Sequence, residues 1–161
     1  MKRLRIYLDT SIINFLFADD APDFRKVTED FFAVYAIRYD LFVSDVVMAE
    51  ILRDPDPVHR AKLTDVLASH DVAMLPAEHL DEVRLLAGRY LEAGIVPENK
   101  AEDALHVAYA TVFEMDFLLS WNFKHLANVR REARFLAVNE MMGYRYPLRL
   151  LSPLEVENDD T

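Results

Sequence analysis

The sequence predicts an α/β fold, a three-layer α/β/α arrangement in which a central, mostly parallel sheet of four or five strands lies between helices. Short apolar segments alternate with longer segments of helical periodicity along 161 residues, 52% of which are hydrophobic. Strands that alternate with helices pair in parallel through right-handed crossovers. Because no internal repeat is found, we expect one domain over residues 1–154 and an acidic, frayed tail over residues 155–161.

The first strand is predicted at residues 3–8, where Leu4, Ile6 and Leu8 occupy alternate positions. Further strands are predicted at residues 41–44, 72–75, 117–120 and 149–151. Apolar residues at helical spacing predict helices at about residues 12–17, 23–39, 45–53, 58–69, 79–93, 99–114 and 123–143. This alternation of strand and helix supports the predicted fold class.

Composition excludes several classes of protein. The chain has no cysteine, so it has neither a disulfide framework nor a thiolate metal site, and a reducing cytoplasmic location is expected. It also lacks a signal peptide and the apolar run of about eighteen residues that would cross a membrane, so we expect a soluble protein. The formal net charge of −10 argues against a nonspecific polyanion-binding protein, which normally carries a basic surface.

The first strand ends at Asp9, which is followed by Thr10 and Ser11. Ligands of open α/β sheets bind at the carboxyl ends of parallel strands, so a carboxylate at this position is a candidate reactive group. The alternative is that one of the three residues only caps the helix that follows. The first stretch does not decide between these interpretations, which depend on whether other acids converge on Asp9.

Glu50 is the second candidate acid. Val46, Val47, Glu50 and Ile51 are three or four positions apart, so Glu50 lies on the helical stripe that should face inward. A buried carboxylate without a partner costs several kcal/mol, and a metal, an arginine or a trapped proton should therefore meet it. Asp45 is interpreted as the N-cap of the same helix.

The helix predicted at residues 99–114 carries two further acids, Glu102 and Asp103, which flank its apolar stripe. Both are also explained by the helix dipole, which favours carboxylates in the first turn, and periodicity does not choose between them. His106 lies four residues after Glu102 and three after Asp103, so it is expected to pair with either acid on the surface. We interpret it as structural, because no second histidine stands at ligand spacing.

Ser120 and Asn122 follow the fourth predicted strand, so three strands deliver oxygen-bearing side chains to one edge of the sheet. Carboxylates without thiolates or clustered histidines suit Mg²⁺ or Mn²⁺. A divalent ion keeps close acids ionised and supports attack of water on a phosphodiester. Hydrolysis of nucleic acid is therefore the leading hypothesis. No glycine-rich phosphate loop or nucleophile elbow supports a competing chemistry.

Four segments in this order resemble those of PIN domains, the metal-dependent nucleases that include the VapC-like toxins of toxin–antitoxin pairs. The matching segments are residues 7–11 (YLDTS), 44–51 (SDVVMAEI), 102–108 (EDALHVA) and 119–125 (LSWNFKH). The resemblance implies a parallel sheet between helices and a Mg²⁺ or Mn²⁺ site in which Asp9 is the central ligand, Glu50 the second and Asp103 the third. Thr10, Ser11, Ser120 and Asn122 would support this site.

The resemblance further implies an endoribonuclease that is commonly a homodimer and is neutralised by a small antitoxin. Asn122 departs from the pattern, because many family members carry Asp at this position. An asparagine would supply a neutral oxygen, with weaker metal affinity or the loss of a second ion. Two alternatives therefore remain: an inactive PIN-like binding module, and a small-molecule phosphatase that uses the same acids.

A local basic cluster lies after the fourth strand and is a candidate guide for an RNA backbone. It consists of Lys124, His125, Arg130, Arg131 and Arg134. Trp121 could stack on a base beside this cluster. The alternative is a solvated helix face beside a core-packed tryptophan, since surface helices often carry charge on their outer side.

Overall fold

The computed structural model describes residues 2–158, with side chains through residue 156. Their five strands form a single parallel sheet in the order β3-β2-β1-β4-β5. The strands are β1 (Arg5–Leu8), β2 (Asp40–Val43), β3 (Ala73–Met74), β4 (Phe117–Leu119) and β5 (Arg149–Leu151). Helices flank this sheet, so the predicted three-layer α/β/α class is confirmed.

The helices are α1 (Thr10–Phe15), α2 (Pro22–Asp30), α3 (Asp45–Leu52), α4 (Pro57–Ser69), α5 (Leu80–Glu92), α6 (Ala101–Val112), α7 (Val129–Met141) and α8 (Pro153–Asn158). Helix α5 packs against α6 and also contacts α7. Beyond α2 the chain continues through a π-helical turn, Phe31–Tyr35, and a 3₁₀ turn, Ala36–Arg38. None of the helices in residues 2–158 is long and apolar enough to cross a membrane.

The core is centred on β1, whose residues Ile6, Tyr7 and Leu8 are all 0% exposed. Apolar alternation alone would suggest a strand with one solvated face. Strands of a parallel sheet are covered by helices on both faces, however, so the intervening Tyr7 is buried as completely as its neighbours. A phenol in this position needs an internal hydrogen-bond partner, and it has two, as described below.

The strand order places a topological switch point at β1. From β1 the chain moves outward through β2 to β3, and it then returns to β4 on the other side of β1. The crevice at such a point, beyond the carboxyl ends of the strands, is the usual ligand site of open α/β sheets. Asp9 and Ser120 follow the two strands that border it, and the Asp9 amide donates to the Leu119 carbonyl at 3.2 Å.

Several predicted boundaries shift by a few residues, and two differences are larger. The helix expected from residue 123 begins only at Val129, because the side chain of Asn128 accepts hydrogen bonds from the Arg130 and Arg131 amides and caps the helix there. At the carboxyl end, residues 155 to 158 do not fray as expected but complete α8, where Val156 is 2% exposed. The remaining part of the predicted tail, residues 159–161, lies outside the described residues.

Candidate active site

Three carboxylates from separate parts of the chain act on one another at the carboxyl edge of the sheet. Asp9 follows β1, Glu50 lies in α3, and Asp103 lies in the first turn of α6. Burial raises the pKa of Asp103 to about 6; the negative charges of Asp9 and Glu50 add to this rise, and nearby His106 opposes it. The structure thus brings Asp9, Glu50 and Asp103, the acids that the family resemblance named, into electrostatic range of one another.

Asp9 is held by hydroxyl groups on both of its oxygens. Ser11 Oγ donates to Oδ1 at 2.5 Å, and Ser120 Oγ donates to Oδ2 at 2.5 Å. Oδ1 also accepts from the Ile12 amide at 3.4 Å, so Asp9 is the N-cap of α1 as well. Burial nevertheless raises the pKa of Asp9 above its ordinary value, although these hydrogen bonds favour the charged form. The two interpretations of Asp9 are therefore compatible, because one carboxylate both caps the helix and belongs to the acid cluster.

The two serine hydroxyls are themselves fixed by the backbone. Ser11 Oγ accepts from the Trp121 amide at 2.9 Å, and Ser120 Oγ accepts from the Asn122 amide at 2.9 Å. Each hydroxyl has one proton, and that proton is directed at Asp9. The supporting roles expected of Ser11 and Ser120 thus have a definite geometry, since both residues orient the Asp9 carboxylate.

Thr10 occupies the same edge but contributes differently. It is 6% exposed, and its Oγ1 has no hydrogen-bond partner among the residues that the structure describes. The hydroxyl makes no hydrogen bond of ordinary geometry to Glu50, but it is close enough to favour the ionised form and to help lower the pKa of that acid. A buried polar atom without a partner normally meets water or an ion, which indicates a place for one beside the acids.

Glu50 is hydrogen-bonded to His106. The expectation that this histidine pairs with Asp103 or Glu102 on the surface was therefore wrong. His106 is 2% exposed, and its Nε2 lies 2.8 Å from Glu50 Oε1. Burial alone would raise the pKa of Glu50, but the hydrogen bond and charge of His106 outweigh burial and lower it. The local rule for residues three or four apart missed this contact because α6 is buried almost all round. Apolar residues on its other faces, such as Val107 and Ala110, were the signal that indicated a buried helix.

The choice between Glu102 and Asp103 is settled by their partners. Glu102 forms an ion pair with Arg53 at 2.6 Å, in which both side chains are largely exposed. Asp103 instead accepts a hydrogen bond from Asn122 Nδ2 at 3.2 Å, and the charges of Asp9 and Glu50 raise its pKa. Asp103 is therefore the acid of α6 that belongs to the cluster.

Asn122 presents its amide nitrogen, not its oxygen, to the acids. Its Oδ1 accepts from the His125 backbone N–H at 2.9 Å, and a backbone N–H can only donate. This contact fixes the orientation of the amide and leaves Nδ2 facing Asp103. The expectation that Asn122 supplies a neutral oxygen ligand is corrected here, because it acts as a hydrogen-bond donor to Asp103.

The N-cap of α3 is also one residue earlier than expected. Ser44 Oγ accepts from the Val46 amide at 3.2 Å and caps the helix, so the interpretation of Asp45 as the cap was wrong. Asp45 lies in the first turn, where its Oδ1 accepts a hydrogen bond from the Tyr109 hydroxyl at 2.6 Å. Asp45 thereby ties α3 to α6.

Comparison with known proteins identifies the family. The family model of the PIN domain matches residues 6–125, a segment that contains all three acids. The chain belongs to the PIN domain family. A search of curated protein sequences found no match. Among solved structures, the chain is similar to one in the crystal structure of VapBC2 from Rickettsia felis bound to a DNA fragment from the promoter of the pair, with a TM-score of 0.54 and 17% identity over 75% of this chain and 90% of that one.

PIN domains are generally nucleases that use divalent metal ions, and the donor atoms of this chain fit such an ion chemically. Within residues 2–158, no three Asp, Glu or His side chains are close enough to hold a metal ion by themselves. Magnesium, however, usually keeps several waters and binds only one or two carboxylates directly. Oxygen donors, mutual repulsion among the acids and the unpartnered Thr10 hydroxyl together match an ion that is partly held through water.

An open cavity of about 320 Å³ gives access to Glu50 and Asp103 of this PIN domain, whereas Asp9, which is 4% exposed, does not line it. Glu50, Asp103 and Asn122 contribute to its lining, together with residues 98–102 at the start of α6. The 3₁₀ turn Glu98–Lys100 brings the exposed Lys100 to the rim, where its charge favours the ionised form of Asp103. The acidic site is thus open to solvent and has a cation at its entrance.

The predicted basic cluster borders a second cavity, of about 410 Å³, whose lining includes Lys124, Arg130, Arg131 and Arg134. Burial lowers the pKa of His125, and the positive charges of Arg131, Lys124 and Lys100 lower it further. The loop at residues 120–128 reaches both cavities, because it places Asn122 in the acidic one and Lys124 in the basic one. A positive surface therefore lies next to the acids.

Trp121 does not belong to this surface. It is 5% exposed, its ring stacks on Phe24 with centroids 4.5 Å apart, and its Nε1 donates to Thr28 Oγ1 at 2.8 Å. The idea that Trp121 stacks on an RNA base is therefore corrected in favour of the core-packed alternative. Its backbone amide serves the site by fixing Ser11.

Proposed function

We propose that this PIN domain is a metal-dependent endoribonuclease that acts as the toxin of a toxin–antitoxin pair. The observation that carries the proposal is the group of Asp9, Glu50 and Asp103 at the switch point of the sheet, where burial and mutual repulsion raise the pKa of Asp103 to about 6. Three neighbouring carboxylates that are at least partly buried destabilise the folded state on their own, and a bound cation offsets their repulsion. Asp9, Glu50 and Asp103 would hold Mg²⁺ or Mn²⁺, partly through water.

The divalent ion, when bound, would supply positive charge that stabilises the phosphodiester during in-line attack of water. The residues of the chain prepare its site. Ser11 and Ser120 hold the Asp9 carboxylate in one orientation. His106 keeps Glu50 ionised, and Asn122 positions Asp103 through its amide nitrogen. Preorganisation of this kind reduces the rearrangement that ion and substrate binding would otherwise require.

RNA is the proposed substrate because the basic cluster adjoins the acidic cavity. Lys124, Arg130 and Arg134 are exposed, and Arg131 is partly buried because its guanidinium donates to the Ile95 carbonyl. The net charge of the whole chain is −10 and opposes polyanion binding, so phosphates would approach along this restricted surface. The proposed RNA-binding set is therefore Lys124, Arg130, Arg131 and Arg134. His125, which was expected to belong to the cluster, is buried like Trp121 and is left out.

The partner proposal is supported by the similar structure, which is a VapBC2 complex. We infer that a small antitoxin binds over the acidic cavity and that its basic side chains meet the carboxylates there. The homodimer that the family resemblance implies is also part of the proposal. Light scattering of the purified chain, alone and after co-expression with the product of a neighbouring short gene, measures both assemblies.

The decisive experiment is an RNA cleavage assay with Mn²⁺ or Mg²⁺. Asp9→Asn should reduce cleavage at least 100-fold, because the central carboxylate is lost while the side chain keeps its size. Asp40→Asn is the matched control, since Asp40 is an exposed acid at the start of β2 whose partner is Arg3. Cleavage that survives in Asp9→Asn, or that survives a chelator, would refute the proposal.

RNA binding is measured separately with the Asp9→Asn variant, in which cleavage does not interfere. Arg130→Ala should weaken affinity and reduce the salt slope of log Kd by about 1, because one phosphate contact is lost. Lys62→Ala is the control, since Lys62 is exposed on α4. Equal effects of the two substitutions would exclude the basic cluster as the RNA-binding surface.

A binding module without catalysis is the second candidate, and the orientation of Asn122 favours it. A donor at this position occupies the side of Asp103 on which an aspartate would add a further anionic ligand. The same cleavage assay separates the two functions. A binding module would associate with its partner and cleave no RNA with any divalent ion.

A further inference from the structure

A chain of buried polar groups ends at Glu50. Ser44 Oγ lies 2.7 Å from the Tyr7 hydroxyl, the Tyr7 hydroxyl lies 2.6 Å from His106 Nδ1, and His106 Nε2 lies 2.8 Å from Glu50 Oε1. Ser44, Tyr7 and His106 are each at most 2% exposed. They belong to β1, to α6 and to the connection between β2 and α3, so three parts of the fold converge on one carboxylate.

One proton position in this chain follows from its acidic end. The carboxylate of Glu50 only accepts, so His106 Nε2 carries the proton that Glu50 receives. The Tyr7 hydroxyl can both donate and accept, so it stays paired with His106 Nδ1 whether the ring is neutral or charged. His106 therefore donates from Nε2 to Glu50 in either state of the ring.

We infer that His106 is a positioning residue, which fixes the orientation of Glu50 toward the acidic cavity and is itself fixed by Tyr7 and Ser44. The inference rests on the proposed function, because Glu50 matters as a metal ligand in that proposal. The carboxylate of Glu50 ends a flexible side chain at the cavity, and 22% of that side chain is exposed. The side chain of His106 is enclosed, with only 3% exposed. A buried donor that holds one carboxylate oxygen restricts the rotation of the group, and such outer partners commonly tune metal sites.

The test measures Mn²⁺ affinity by calorimetry, independently of cleavage. His106→Leu should weaken binding by about 10- to 100-fold, the range typical of lost outer-shell partners. His106→Gln, whose amide keeps a donor near Glu50, should recover part of this loss. Tyr7→Phe should have a smaller effect than His106→Leu, because it removes only the hydrogen bond at Nδ1 and keeps the histidine.

A double-mutant cycle separates positioning from general stabilisation. If His106 acts through Glu50, His106→Leu should change Mn²⁺ affinity by less than about twofold in a Glu50→Gln background. An equal loss in both backgrounds would overturn the inference. Wild-type protein that binds no Mn²⁺ would instead refute the proposed metal-dependent function.

Nitrogen NMR supplies a readout that needs neither metal nor activity. In the metal-free wild type, the ¹⁵N signals of His106 should show a proton on Nε2. Tyr7→Phe should shift the Nδ1 signal, because Nδ1 loses its hydrogen-bond partner. A wild-type Nε2 without a proton, or an unchanged Nδ1 signal in Tyr7→Phe, would overturn the inference even if every His106 variant failed to fold.

Discussion

Replacing Asp103 with asparagine should stabilise the metal-free protein while it impairs the site. In the folded state the pKa of Asp103 is about 6, compared with an ordinary value of 3.8, chiefly because the carboxylate is buried. Above pH 6 the group is charged in both states, so the folded state bears the full penalty. The difference of about 2.2 units corresponds to about 3 kcal/mol of unfolding free energy at 1.36 kcal/mol per unit.

Two structural features adjust this value. Asp103 is only partly buried, so solvent screens part of the penalty and we expect a net stabilisation of about 1–2 kcal/mol. The amide oxygen of an asparagine still accepts the hydrogen bond that Asn122 Nδ2 donates at 3.2 Å. No buried donor is therefore left without a partner, and the gain from removing the charge is retained.

The stabilisation by Asp103→Asn should increase with pH. As the pH falls through 6 toward 4, the folded protein takes up a proton on Asp103 before the unfolded chain does, and the wild type recovers the lost stability. The advantage of Asp103→Asn should thus be largest at pH 8, fall to about half at pH 5 and to about a fifth at pH 4, and vanish near pH 3. A stabilisation that is absent at pH 8, or that grows on acidification, would refute the electrostatic interpretation of the cluster.

Urea unfolding with a chelator present, followed by circular dichroism at several pH values, provides this measurement. Glu102→Gln is the matched control, because Glu102 is the neighbouring acid of the same helical turn and pairs with Arg53 on the surface. Its substitution should change stability by less than about 0.5 kcal/mol. Subtracting wild-type values at each pH removes the titration of all other groups.

Three further substitutions test other parts of the structure. Tyr90→Phe should destabilise the fold by about 1–3 kcal/mol in urea unfolding, because the buried Asn139 Oδ1 loses the hydroxyl that donates to it; an unchanged midpoint would contradict this. Asn122→Asp should lower the melting temperature without metal and increase the rise on adding Mn²⁺, since another anion then faces Asp103; identical Mn²⁺ responses would contradict it. Trp121→Phe should reduce stability but leave RNA affinity within about twofold, and a larger loss of affinity would restore the stacking role.

The sequence predicted the positions of Asp9 and Glu50 because both follow from local periodicity. Asp9 ends a strand that is recognisable by alternation, and Glu50 shares a helical stripe with Val47 and Ile51, which are 0% and 1% exposed. Such patterns report which side of an element faces inward. The parallel order of the strands then brings the ends of β1 and β4 together at the switch point.

Local sequence patterns did not predict which residues of different helices, strands and loops contact one another. Periodicity left Glu102 and Asp103 equivalent, and only the packing of α6 separates the surface ion pair of Glu102 from the hydrogen bond of Asp103 to Asn122. The cap of α3 was misplaced by one residue, a common uncertainty at helix ends. The orientation of the Asn122 amide depends on the His125 backbone N–H, a tertiary detail of the loop that no side-chain pattern records.

The three acids differ in how completely the protein compensates their charges, and this difference explains what a cation must supply. Two serine hydroxyls and the Ile12 backbone amide donate hydrogen bonds to Asp9. The ring of His106 donates a hydrogen bond to Glu50. Asp103 has a single amide donor at 3.2 Å, and it is the acid whose pKa burial and its neighbours raise to about 6. The fold therefore compensates the charge of Glu50 by itself, whereas burial still raises the pKa of both Asp9 and Asp103. A bound cation would be stabilised by the charges of these two acids, and Asp103, which has fewer donors than Asp9, should contribute to metal affinity at the expense of stability in the metal-free state.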